Sequence, residues 1–163
     1  MKTLLIVWHS RTGGAHQMAE AARAGASAEP DVMVRLLEAE DACAADLLSA
    51  DGFIFAAPEN LASLSGPMKD FFDRHYYPVL GHLEGRPCAT MICAGSDGSN
   101  AVRQIARIAT GWRLRPIAEP IIVCTQAQTP EAILAPKTIA PAHLERCRDL
   151  GAAFAAGLEA GIF

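Results

Sequence analysis

The 163-residue chain predicts a doubly wound, three-layer α/β/α domain built on a five-stranded parallel sheet. Three observations carry that expectation. Short apolar runs recur as continuous blocks without polar alternation, as strands covered on both faces do. Helix-forming segments lie between them, so strand and helix alternate along the chain. The residues after the first, third and fourth runs are rich in Gly, Ser, Asn, Asp and Pro, and loops that gather at the C-terminal ends of parallel strands form ligand crevices.

The first strand is Leu4 to Trp8, followed by the loop His9-Ser10-Arg11-Thr12-Gly13-Gly14 and a helix from Ala15 to Ala26 with Met18, Ala19, Ala22 and Ala26 at helical spacing. Glu29-Pro30-Asp31 turns into the second strand, Val32 to Leu37, and a short helix spans Ala42 to Ser49. The third strand is Gly52 to Ala57, stopped by Pro58, and a loop runs from Pro58 to Ser65. Gly66-Pro67 opens a helix with proline at its first position, with Met68, Phe71, Phe72 and His75 on its apolar face. Lys69 with Asp73 and Asp70 with Arg74 are i,i+4 pairs on its exposed side. Pro87 to Ala94 is the fourth strand, Gly95 to Ser99 its loop and Asn100 to Thr110 its helix. The fifth strand lies near Pro120 to Cys124; Thr125 to Pro141 reads as a surface excursion, and a last helix runs from Ala142 to about Glu159. No repeat or linker divides the chain, so residues 1–163 are expected to form one domain.

Composition narrows the function. Half of the residues are hydrophobic and a fifth are charged, and the formal net charge of −4 with no basic block argues against a nucleic-acid binder. No apolar run approaches the ~18 residues of a membrane span, and the N-terminal run is too short for a signal-peptide core, so a cytoplasmic address is expected. Cys43, Cys88, Cys93, Cys124 and Cys147 show neither C-x-x-C nor metal-ligand spacing and read as reduced structural thiols. No metal site is expected.

The first loop has the chemistry of a phosphate cradle. Ser10 and Thr12 offer hydroxyls, Gly13 and Gly14 let the backbone turn and approach a ligand, and N–H groups around Arg11 to Ala15 point from a helix start, where the dipole favours an anion. It is not a P-loop, since no lysine occurs between Lys2 and Lys69, and G-x-G-x-x-G is absent. A Ser/Thr cap on an ordinary helix is the plainer alternative. The strand order 2-1-3-4-5 would bring this loop together with those after the third and fourth strands.

Ser-x-Thr-Gly after the first strand resembles the FMN-phosphate loop of flavodoxin-like proteins. Pro58-Glu59-Asn60, Ser65-Gly66 and Lys69-Asp70-Phe71-Phe72-Asp73-Arg74, with Cys93-Ala94-Gly95-Ser96-Asp97-Gly98, resemble the NAD(P)H-dependent FMN reductases and flavodoxin-family oxidoreductases over nearly the whole chain. The resemblance implies a flavodoxin-like fold and bound FMN. It places phosphate on Ser10 to Ala15 and the ring beside Pro58, Glu59, Asn60, Leu61, Ala62 and Gly66, with Ala94, Gly95, Ser96, Asp97 and Gly98 at its pyrimidine edge. Pro58 would set a rigid turn, Glu59 to Ala62 would act through their backbone, and no protein acid, base or metal would be needed, because the flavin carries the chemistry. The implied activity is hydride transfer from NAD(P)H to a quinone, flavin or similar small acceptor. His9 and His16 flank the cradle, and Arg103, Arg107, Arg113 and Arg115 could attract a nucleotide phosphate. The third-strand loop contains no aromatic residue, which leaves one ring face open for a second planar reactant. An FMN electron carrier without NAD(P)H activity and a non-redox phosphate-binding domain are the other readings; homo-oligomerisation is left open.

Overall fold

In the computed structural model, which describes residues 1–163, the first apolar run extends as β1, Lys2–Trp8, with Leu4 to Val7 fully buried. It lies between β2 (Val32–Glu38) and β3 (Gly52–Asn60), parallel to both. β5 (Pro87–Ala94) pairs with the far side of β3, and β7 (Ile121–Cys124) closes that side. A two-residue strand, β6 (Arg115–Pro116), pairs with the start of β5, so the outermost strand is laid down in two pieces. Pro116 and Pro120 bracket the interruption, and each lacks a ladder donor. The five principal strands therefore run β2-β1-β3-β5-β7, which is the order expected, with β6 and the two-residue β4 (Ser63–Leu64) as additions.

Alternate side chains of the strands feed two cores. Leu5, Val7, Phe53 and Phe55 pack under α2 (Ala44–Ser49), α3 (Gly66–Val79) and α4 (Ser99–Gly111). Phe55 and Trp112 meet Phe72 edge-on at 5.0 and 5.2 Å, a favoured aromatic geometry. On the other face Leu4, Ile6, Ile54 and Met91 lie under α1 (Gly14–Ala26) and α6 (Pro141–Glu159). These two helices touch backbone to backbone: a Cβ on Gly25 would strike the Arg148 carbonyl, and one on Gly151 the Ala22 carbonyl. The expected pairs Lys69–Asp73 and Arg74–Asp70 form at 2.6 Å on the outer side of α3.

Two expectations need correction. Pro58 does not stop the third strand, which continues to Asn60 and turns back as β4. Ala56 O accepts from His9 N, so Ala56 faces β1, and alternation turns Pro58 to the same side. β1 has ended by that level, so the missing N–H costs no ladder bond, and Pro58 O accepts instead from Ser65 N. The rigid turn assigned to Pro58 lies at Leu61-Ala62, a two-residue hairpin turn with both residues left-handed (φ 49° and 57°). The excursion after β7 also contains a short helix, α5 (Pro130–Leu134), capped by Thr129 Oγ1, which accepts from Ala132 N at 3.2 Å.

Candidate functional site

At the C-terminal ends of β1, β3 and β5 a cavity of about 640 Å3 opens between the first loop, the 58–62 hairpin, the 93–96 loop and the segment after β7. This is the crevice that a doubly wound sheet makes where its strand order reverses, and its size is ordinary for a small-molecule site. Of the residues singled out in the sequence, Ser10, Arg11, Thr12, Gly14, Ala15, Pro58, Glu59, Asn60, Leu61, Ala62, Ala94, Gly95 and Ser96 are brought together in its lining.

Gly13, Gly66, Asp97 and Gly98 do not. Gly13 sits behind the cradle as the left-handed N-cap of α1 (φ 93°), its N–H donating to Ser10 Oγ at 3.0 Å. Gly66 begins α3 away from the cavity. The Asp97 carboxylate turns to Ser99, accepting from its N and Oγ at 3.2 and 2.8 Å. Gly98, left-handed at φ 85°, caps α4, and its N–H donates to Glu59 Oε1 at 2.8 Å. Glu59 thus acts through its side chain as well, Oε2 accepting from Ala101 N at 3.1 Å.

The two helices that start beside the cavity therefore differ. At α4 the first helical bond runs from Val102 N to Gly98 O, and carboxylates of Glu59 and Asp97 take the N–H groups of Gly98, Ser99 and Ala101. At α1 the first helical bond runs from Gln17 N to Gly13 O, and the N–H groups of Gly14, Ala15 and His16 have no acceptor in the chain. Unsatisfied donors at a helix start, reinforced by the dipole, suit an anion. Gly14 also has a packing duty, because a Cβ there would collide with the Cys93 sulfur beneath it.

Six lining residues were missed: Cys93, Thr125, Ala127, Ile133, Leu134 and Lys137. All but Cys93 come from the stretch after β7, which the amide of Gln17 ties to the cradle. Its Nε2 donates to Gly13 O and Lys137 O at 2.9 and 2.7 Å, and its Oε1 accepts from Ile139 N at 3.0 Å. Lys137 N donates to Thr12 O at 2.7 Å, while its ammonium caps α5 through the carbonyls of Ala132, Ile133 and Ala135. The signal for this tie was Gln17 itself, an amide with matched donor and acceptor on the cradle helix, though nothing local named its partners.

The flanking residues sort themselves as structural. His9 is buried and its Nδ1 pairs with Ser65 Oγ at 2.9 Å, joining the first loop to the base of the hairpin. Burial, and then the Arg11 charge, hold its pKa below the ordinary 6.5 against a weaker pull from Glu40. His16 stacks on Trp8 with ring centroids 4.1 Å apart. Arg113 pairs with Glu84, and Arg115 pairs in register with Pro87, both at the opposite end of the sheet from the cavity. Burial pushes the Cys93 thiol up to about 11, so it lines the cavity as a neutral group.

Arg11 and Lys137 are the cations of the lining, and Glu59 is its one carboxylate. The lining includes no aromatic side chain, while Leu61, Ile133 and Leu134 stand exposed at its rim. The site offers donors at one end and apolar walls at the other, which fits a phosphorylated ring compound.

A family model for NADPH-dependent FMN reductases matches residues 38–129, over half of the chain. A flavodoxin of Aquifex aeolicus (strain VF5) is 34% identical over 103 residues, which cover 63% of this chain and 56% of that protein's length. A flavodoxin from the domain Archaea superposes with a TM-score of 0.77 at 19% identity, covering 96% of this chain and 99% of that one. The flavodoxin, WrbA-like protein from Agrobacterium tumefaciens does so with a TM-score of 0.72 at 19% identity, covering 96% of each. No helix is long and apolar enough to cross a membrane. With a flavodoxin-like fold and a family match over residues 38–129, the chain belongs to the NADPH-dependent FMN reductase family.

Proposed function

We propose that residues 1–163 act as one FMN-binding unit that takes hydride from NAD(P)H and passes it to a small acceptor such as a quinone or a free flavin. The observation that carries the reading is the contrast between the two helix starts: at α4 the protein's own carboxylates take the N–H groups of Gly98, Ser99 and Ala101, whereas at α1 no carboxylate takes those of Gly14, Ala15 and His16, which are left for a ligand anion. Ser10, Thr12 and the N–H groups of Gly14, Ala15 and His16 would hold the phosphate, with the Arg11 charge nearby. The hairpin Glu59 to Ala62 and the 94–96 loop would border the ring. Bound FMN supplies the hydride chemistry, and the chain's part is to hold it, orient it and shape the approach.

The aromatic-free lining and the exposed aliphatic rim favour a reductase, because they leave space beside a ring for a second planar molecule. The likeness to a flavodoxin keeps a second reading, an electron carrier reduced by a partner protein. The purified protein, or its apoprotein titrated with FMN, is expected to show the two visible flavin absorption bands and to bind riboflavin more weakly. Stopped-flow mixing with NADH and NADPH is expected to bleach them. Failure to take up FMN overturns the proposal, and bleaching only through an added partner reductase establishes the carrier instead.

A further inference from the structure

The hairpin that borders the ring end of the cavity does not hold itself. Its ladder is two residues long, and Leu61 and Ala62 both adopt the left-handed conformation that side-chain-bearing residues avoid. Four hydrogen bonds instead fasten it to α4. Gly98 N and Ala101 N donate to the two oxygens of Glu59, at 2.8 and 3.1 Å. Asn100 Nδ2 donates to Ala62 O, and Leu64 N donates to Gln104 Oε1, each at 2.6 Å. Asn100 and Gln104 lie one helical turn apart and so share the face turned to the hairpin.

Charge follows the same geometry. Glu59 is half-buried and is the only carboxylate in a lining whose cations, Arg11 and Lys137, belong to the cradle loop and to the segment tied to it. A helix start carries a partial positive charge that would stabilise an anion beside it. At α4 that charge is already matched by Glu59.

Resting on the FMN reading above, we propose that Glu59 is a positioning residue that also sets the redox potential of the site. Its carboxylate clamps the hairpin onto α4 and keeps a full negative charge in the wall of the ring end. Reduction of a flavin adds electron density to the ring, so a fixed negative charge there disfavours the reduced form and makes it the stronger reductant.

The test compares the FMN-loaded wild type with Glu59→Gln and Asn100→Ala. Glu59→Gln removes the charge and preserves the length; Asn100→Ala loosens the same hairpin and leaves the charge in place. Equilibration with redox dyes is expected to raise the reduced-to-oxidised ratio of Glu59→Gln at a fixed poise by roughly tenfold, the effect of one elementary charge across a cavity of this size at an effective dielectric of ~20. That corresponds to ~30 mV for a two-electron couple. Asn100→Ala is expected to move the potential by less than a third as much. An unchanged or lowered potential in Glu59→Gln, or equal shifts in both variants, overturns the charge argument.

Amide exchange of the apoprotein tests the clamp without flavin. The Gly98 and Ala101 amides are expected to exchange at least tenfold faster in Glu59→Ala than in wild type, and unchanged protection overturns the clamp. Protein that takes up no FMN overturns the functional reading and the potential-setting role with it, while the amide measurement still decides the clamp.

Discussion

Gly14 offers a sharp test of how the cradle is built, because its conflict with a side chain comes down to one atom. A Cβ there would collide with Cys93 Sγ, whereas the next neighbours, Cys93 Cβ and Ile139 Cδ1, lie at an ordinary 3.5 Å. Gly14→Ala should cost about 1–3 kcal/mol as overpacking, offset by up to ~1 kcal/mol of helix propensity. Cys93→Ala alone removes one buried atom and should cost about 1 kcal/mol. In the double variant the obstructing sulfur is gone, and the new methyl group becomes neutral or mildly favourable. The cycle should therefore show a coupling of about 2 kcal/mol, well above the few tenths expected of independent sites. Urea unfolding of the four proteins measures it, with equal m-values confirming that the native packing alone has changed. FMN titration supplies a second readout: shifting the start of α1 misplaces the Gly14 N–H, so affinity should fall in Gly14→Ala and recover in the double variant. Additive stabilities, within ~0.5 kcal/mol, would show that Cys93 does not dictate the glycine.

Three further expectations follow from the site. Thr12→Val removes a hydroxyl from the cradle but leaves Thr12 O to accept from Lys137 N; FMN affinity should fall roughly ten- to a hundredfold with little change in unfolding free energy, as titration and urea melts will show. Ala62→Gly relieves the left-handed strain at φ 57° and should stabilise the fold by about 0.5–1 kcal/mol, read as a rise of ~2 °C in Tm; a fall would mean that the strain had been misjudged. His9 and His75 are both held below the ordinary 6.5, in each case chiefly by burial. The unfolded chain then binds more protons than the folded one, so stability should rise with pH through the range below about 6.5 and level off above it. His9→Gln should flatten part of that slope, and an unchanged slope would remove His9 as a contributor.

The strands were legible because a doubly covered parallel sheet writes itself as apolar runs, and the loops at their ends because hydroxyl and glycine residues cluster there. Ser10 to Gly14 and Ala94 to Ser96 could be read in that way. Pro58 was misread because its effect depends on which side of the strand the missing donor faces and on whether β1 still runs along that side. The role of the Glu59 carboxylate was hidden for a related reason: its partners, Gly98 and Ala101, lie some forty residues on and are met only through the fold. Lys137 and Ile133 escaped notice because the segment after β7 has no strong period, and its place over the cavity comes from hydrogen bonds to Gln17 and Thr12.

Those bonds also impose an order on assembly. Gln17 meets Lys137 and Ile139 across 120 and 122 residues of chain, so a polypeptide leaving the ribosome completes β1, α1 and every strand of the sheet before the cradle gains its outer wall. Contacts of such sequence separation come late in a growing chain. A nascent chain released only as far as Cys124 would hold every strand but lack α6, leaving one face of the sheet and one side of the pocket uncovered. The cavity of this protein is thereby completed only after its last strand has been made.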